Sequence, residues 1–203
     1  MKPTFSNRPN QMIISQEGEI YWISRSVALV GQVCVYSLTE SKWYILLIKR
    51  GTGTPDYQGY WCLPCGYLDW DETLTDGFLR EVYEEAGVYL PALSSHVDFG
   101  YSDSGLTTIE YPQEMPWAIS DPLHSGKQNI SMNFAVFFTW KGETLPTLSN
   151  SHCEPDEVDA LQWTPLEEAG EMSLAFNHQK RINIMGEQLQ HRMRAHVDYH
   201  RGE

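Results

Sequence analysis

Three glutamates, Glu81, Glu84 and Glu85, follow Arg80 at spacings of i, i+3 and i+4. On a helix turning about 100° per residue, Glu84 falls near −60° and Glu85 near +40° from Glu81, so the three carboxylates share an arc of about 100°. Leu79, Val82, Tyr83 and Ala86 fall on another side and are expected to pack. Like charges at these spacings repel by a few tenths of a kcal/mol per pair. A solvated helix face tolerates that cost, and a bound cation turns it into a gain. Hard carboxylate oxygens suit Mg²⁺ or Mn²⁺. Spacing alone leaves both readings open, with a solvated acidic face the more ordinary one.

The helix must therefore be placed before the chemistry can be judged. Thr73 or Thr75 can cap its start by accepting from free N–H groups. Gly87 stands where a left-handed residue ends a helix. A helix over about Thr75 to Ala86 follows, some three turns long. Ahead of it, Gly66-x₅-Glu72-x₇-Arg80-Glu81-Val82-x-Glu84-Glu85-x-Gly87-Val88 fills nine fixed or class-restricted positions within 23 residues. This segment resembles the signature of the Nudix hydrolase family, and Trp61-Cys-Leu-Pro-Cys-Gly66 is similar to that family's entry into it.

The resemblance implies an α/β fold, an α/β/α sandwich with a mixed β-sheet, and a loop–helix–loop that holds metal. Residue by residue, it implies that Glu81, Glu84 and Glu85 are metal ligands and that Arg80 orients one of their carboxylates. Glu72 is implied to help the metal site or its geometry. Gly66 and Gly87 are implied to serve backbone needs, and Val82 and Val88 to pack. Two departures stand out. Cys65 replaces a frequent Gly, and Gly77 and Phe78 replace small alanines. A Gly inside a helix costs up to ~1 kcal/mol against Ala.

The implied activity is Mg²⁺- or Mn²⁺-dependent hydrolysis of a nucleoside diphosphate linked to another group, such as ADP-ribose, a nucleotide sugar or a dinucleotide. Pyrophosphate cleavage requires neutralised oxygens, an aligned water and a proton acceptor. The acceptor varies within the family between a glutamate of the signature and one in a later loop. Glu154-Pro-Asp-Glu-Val-Asp-Ala-Leu-Gln-Trp163 is similar to that later loop, which makes Glu154 and Glu157 the candidates; an acidic loop without a role is the alternative. Arg50, at a strand end, is either a phosphate contact or a surface charge. Tyr57, with Tyr60 and Trp61, can stack on a base or simply pack. Ser173-Leu-Ala-Phe-Asn-His178 is similar to a segment of members acting on ADP-ribose, so His178 is a substrate-side candidate set against a structural histidine. Two other functions compete: a non-catalytic nucleotide-binding sensor, and an isomerase of prenyl diphosphates.

Around this centre, residues 1–18 read as a polar lead-in with one edge strand at Met12 to Ser15, and 19–203 as one domain. Ile20 to Tyr36 has a strand pattern broken near Gly31, and Trp43 to Lys49 a second one, with Thr39 to Lys42 turning between them. Arg50 to Tyr60 is a loop on its Gly and Pro content. Further strands are expected at Trp61 to Leu63, Val97 to Tyr101, Ile130 to Trp140 and Val158 to Thr164. Tyr111 to Lys127 reads as a long loop. Pro165 to Ala169 is a short helix with Thr164 as its cap. A longer helix from Gln179 to about His200 carries Ile182, Met185, Leu189, Met193 and Val197 on one side. That stripe is a core face, or less often a homodimer contact.

Composition sets the outer limits. A net charge of −13 disfavours binding to a phosphate backbone. It does not exclude a small phosphorylated substrate, because a carboxylate-held cation reverses the local field. With 41% hydrophobic and 20% charged residues, the chain fits an ordinary globular protein. No stretch approaches ~18 uninterrupted apolar residues, so no membrane span is expected. No signal peptide is apparent, so a cytoplasmic location with free thiols at Cys34, Cys62, Cys65 and Cys153 is expected.

Overall fold

The computed structural model describes residues 11–23, 27–95, 118–120, 130–140 and 142–187. Within them, β1 (Gln11–Ile14) and β2 (Ile20–Ile23) form a separate antiparallel hairpin. The main sheet contains β3 (Val27–Ser37), β4 (Lys42–Arg50), β5 (Trp61–Cys62), β6 (Cys65–Tyr67), β7 (Ala118–Ser120), β8 (Ile130–Trp140) and β9 (Val158–Pro165). Strand order runs β5-β4-β3-β8-β7, with β6 also on β3 and β9 also on β4. β3 and β8 run parallel along their whole length, Val27 against Ile130 through Ser37 against Trp140. The other pairings are antiparallel, so the sheet is mixed.

Because the central strands are buried on both faces, they read as continuous apolar runs (Tyr44-Ile-Leu-Leu-Ile48) rather than alternations. One face packs α1 (Leu74–Ala86) through Leu29, Val33, Val35, Phe78, Val82, Phe134 and Phe138. The opposite face packs α2 (Leu166–Glu171) and a helix over 178–187, α3, through Val30, Cys34, Ile45, Leu47, Ile182 and Met185. The expected α/β/α sandwich is present.

Three expectations need correction. β3 does not break at Gly31; a Cβ there would stand 2.7 Å from the Phe78 ring. Gly31 thus makes room for the large residue that α1 carries in place of a small one. Gly77 has a similar reason, since a Cβ would come within 2.5 Å of Leu29 and 2.7 Å of the Glu72 carboxylate. Thr164 does not cap α2: Pro165 is the N-cap, without a side-chain cap bond, and the Thr164 hydroxyl accepts from Gln162 instead. Part of the long loop expected over 111–127 is strand β7. The strand expected at 97–101, and the end of the last helix with Leu189, Met193 and Val197, lie outside the described residues.

A carboxylate helix and two stitched loops

α1 starts as its sequence dictates: the Thr73 hydroxyl accepts from the Asp76 N–H at 3.1 Å. It ends at Gly87, whose φ of 70° lets its N–H reach the Tyr83 carbonyl. The buried face differs from the expected one. Leu79 and Tyr83 are only half-buried, whereas Phe78, Arg80, Glu81, Val82, Glu85 and Ala86 are buried. Two of the three carboxylates therefore lie in the packed side of the helix, not on a solvated face.

Burying carboxylates is costly unless they gain partners. Arg80 supplies most of these. Its Nε donates to Glu72 at 2.9 Å, and one terminal nitrogen donates to Glu81 at 2.6 Å and Glu84 at 3.0 Å. The other donates to Glu72 at 2.7 Å and to the Tyr67 carbonyl at 2.9 Å. All five guanidinium N–H groups are thus engaged. The carboxylate of Glu72 also accepts from the Asp69 N–H at 2.7 Å. Both Glu72 oxygens accept from Arg80, so the arrangement shows the geometric role implied for Glu72. Arg80 likewise positions rather than reacts.

Glu85 is held from β6, where the Cys65 N–H donates to its Oε2 at 2.7 Å. Gly66 is a cradle: a Cβ there would stand 2.2 Å from a Glu81 carboxylate oxygen. The Glu81 Oε2, Glu84 Oε1 and Glu85 Oε1 atoms make no hydrogen bond among the described residues. Burial, only partly offset by Arg80, pushes the Glu81 carboxyl up to about 7. Burial also raises Glu84, and it raises Glu85 well above the usual range, with Cys65, Glu81 and Glu157 adding to the effect.

The charge of Glu157 adds to the rise that burial causes in all three signature glutamates, so Glu157 lies within electrostatic reach of them. Glu154 is exposed, and its N–H donates to Glu157 at 3.1 Å. The loop bearing Glu157 is stitched to the loop after β4. The Gly51 N–H donates to the Glu157 carbonyl at 2.8 Å, and the Gly53 N–H to the Asp156 carbonyl at 2.7 Å. A Cβ at Gly51 would lie 2.2 Å from the Asp156 carbonyl, so this approach requires glycine.

The remaining candidates separate. Arg50 is buried, with its Nε donating to the Asp56 carbonyl at 2.9 Å and its guanidinium 4.9 Å from the centre of the Phe176 ring. It is not the strand-end surface charge the sequence allowed. His178 is buried against the sheet and its Nδ1 accepts from the Leu63 N–H at 3.1 Å, the structural role weighed for it. Tyr57 is half-exposed. Phe176, missed in the sequence, stands beside it at 4.6 Å between ring centres. Cys62 and Cys65 are free thiols.

A divalent metal fits the donor chemistry: several hard oxygens, three of them unengaged, share a buried region with one guanidinium as the nearby cation. Among the described residues, no three acidic, histidine or cysteine side chains are already arranged to hold one ion. Glu81 and Glu84 each have one oxygen on Arg80, so gathering them on an ion requires a carboxylate to turn.

Comparison with known proteins places this geometry. Residues 29–185 match the model of the NUDIX domain. The chain is 29% identical over 126 residues to the human m7GpppN-mRNA hydrolase NUDT17, covering 62% of this chain and 35% of that protein. It is 33% identical over 82 residues to the Bos taurus protein of the same name, covering 40% and 26%. The chain thus spans about a quarter to a third of the length of these curated relatives. Among solved structures, the Nudix hydrolase RenU from M. smegmatis aligns with a TM-score of 0.54 at 15% identity, covering 89% of this chain and 94% of that one. A bifunctional NMN adenylyltransferase/ADP ribose pyrophosphatase from Francisella tularensis, complexed with AMP and Mn ion, aligns with 0.53 at 18% identity, covering 81% and 42%. The domain match takes in the sheet, the carboxylate helix and both stitched loops, and the chain belongs to the NUDIX family of hydrolases.

Proposed function

We propose that this chain hydrolyses the diphosphate bond of a nucleoside diphosphate linked to a second moiety, with Mg²⁺ or Mn²⁺ held by Glu81, Glu84 and Glu85. The observation that carries this reading is the set of three glutamates anchored by Arg80 and Cys65, with Glu157 on a separate loop within electrostatic reach of them. A bound divalent cation would neutralise diphosphate oxygens and lower the pKa of a water. Glu157 is the general base of this proposal, because its charge reaches the three glutamates and it is partly buried, whereas Glu154 is exposed. Arg80 keeps Glu81 and Glu84 in place during the reaction. Gly66 leaves room for the Glu81 carboxylate.

The substrate is a small nucleotide, in keeping with the net charge of −13, and the proposed setting is the cytoplasm. The relatives' names widen the panel worth testing: ADP-ribose, nucleotide sugars, dinucleoside polyphosphates and cap dinucleotides. Purified protein with Mg²⁺ or Mn²⁺ is expected to turn over at least one of these, and Glu85→Gln to abolish that turnover. Products formed in ¹⁸O-labelled water identify the phosphorus attacked. Inactivity across the panel, or tight nucleotide binding without turnover, contradicts the proposal.

A further inference from the structure

Tyr57, Tyr60 and Phe176 remain 49%, 48% and 38% exposed, although each is a large ring in a well-packed protein. They form one cluster: Tyr57 lies 5.8 Å from Tyr60 and 4.6 Å from Phe176, both edge-on. Two of them sit on unfavourable backbone. Tyr57 has φ 55° and Phe176 φ 56°, followed by Asn177 at 58°. Bulky L-residues seldom adopt this region, and such outliers gather at ligand sites. Core packing does not explain rings held outward on strained backbone.

The cluster is built from beneath. Arg50 places its guanidinium 4.9 Å from the Phe176 ring centre while its Nε fixes the Asp56 carbonyl. Leu174, just before Phe176, bridges to Trp61 of β5. The cluster also adjoins the carboxylate site. Arg50 lies within electrostatic reach of both Cys65 and His178, and the Cys65 N–H holds Glu85. The loop with Tyr57 is the one whose Gly51 and Gly53 are bonded to the Glu157 loop.

We propose that Tyr57, Tyr60 and Phe176 form the stacking platform for the substrate's nucleobase, with Arg50 as its support and not a phosphate contact. This rests on the nucleotide reading above. Three rings match one heterocycle in size, whereas a stable protein contact needs on the order of 1,200 Å². Stacking on aromatic rings accepts every base, so the platform selects for the presence of a base more than for its identity.

The test uses the full chain with Mg²⁺ and compares binding of AMP, GMP, UMP and ribose 5-phosphate by calorimetry. The nucleotides are expected to bind about tenfold or more tightly than ribose 5-phosphate. Tyr57→Leu and Phe176→Leu should erase that difference, and Tyr57→Phe should keep it. In turnover, Tyr57→Leu should raise KM and leave kcat nearly unchanged. Equal binding of all four probes, no binding of any nucleotide, or discrimination that survives both Leu variants overturns the proposal. So does self-association of the wild type that the Leu variants abolish, because the rings would then serve a protein contact. Base-dependent binding without hydrolysis upholds the platform and removes the hydrolase reading. Hydrolysis without base discrimination removes the platform alone.

Discussion

Arg80 and its glutamates lie almost sealed against β6, with every guanidinium donor engaged, whereas Tyr57, Tyr60 and Phe176 stand half in solvent on strained loops. The first region carries its charges at short, fixed distances in a place water scarcely reaches, where each interaction is strong. The second offers apolar rings with no charge of their own. Bond cleavage depends on fixed fields at the reacting atoms, while choosing a ligand depends on surfaces that meet it as it arrives. In the proposed reading the two tasks are divided between a helix packed on the sheet and the loops that carry the rings.

That division can be broken most sharply by kinetics. Glu157→Gln should lower kcat by about 10²- to 10⁴-fold with little change in KM. Tyr57→Leu should do the reverse. A Glu157→Gln enzyme whose loss appears in KM alone would show that the loop binds rather than reacts.

Stability offers the next largest contrast. Arg80→Ala leaves buried carboxylates unpaired and should cost about 3–5 kcal/mol in urea unfolding. Tyr57→Leu, at the surface, should stay within about 0.5 kcal/mol. Arg80→Lys should recover only part of the loss, since an ammonium cannot present five fixed donors.

A pH-dependent term follows from His178. Burial, with Arg50 and Arg181 adding to it, depresses its pKa to about 3, against an ordinary 6.5. The unfolded chain therefore takes up a proton in that window that the folded one refuses. The stabilisation is complete above about 6.5 and is lost as the pH falls toward 3. His178→Gln, which retains an acceptor for the Leu63 N–H, should flatten the fall by up to a few kcal/mol when unfolding of the two proteins is compared across that range. Identical slopes would show that His178 is charged in the fold.

The smallest effect tests whether local preference or packing governs α1. Helix propensity predicts that Gly77→Ala stabilises by up to ~1 kcal/mol. The added Cβ, 2.5 Å from Leu29 and 2.7 Å from Glu72, should reverse the sign and cost about 1–3 kcal/mol in thermal unfolding.

What the sequence disclosed follows the same boundary. The caps of α1, its glutamates and the strand at Ile130–Trp140 depend on neighbours a few residues apart, so periodicity and end signals found them. The packed side of α1 includes Val82 and Ala86 as the pattern predicts, but it also takes in Glu81 and Glu85, because a helical wheel cannot know that β6 covers them. Gly31 looked like a strand break because its reason, the Phe78 ring, lies on another element. Arg50 and His178 were ambiguous for the same cause. Tyr57 and Phe176 become neighbours only when the loop after β4 meets the segment before α3, and no local pattern announces that meeting.

Position 65 illustrates a different freedom. Its contribution to Glu85 is a main-chain N–H, which every residue but proline possesses. Its backbone is not among those with positive φ, so nothing there demands glycine. The side chain is thereby released from the duty its backbone performs. Any residue but proline at that point can keep the contact that holds the glutamate.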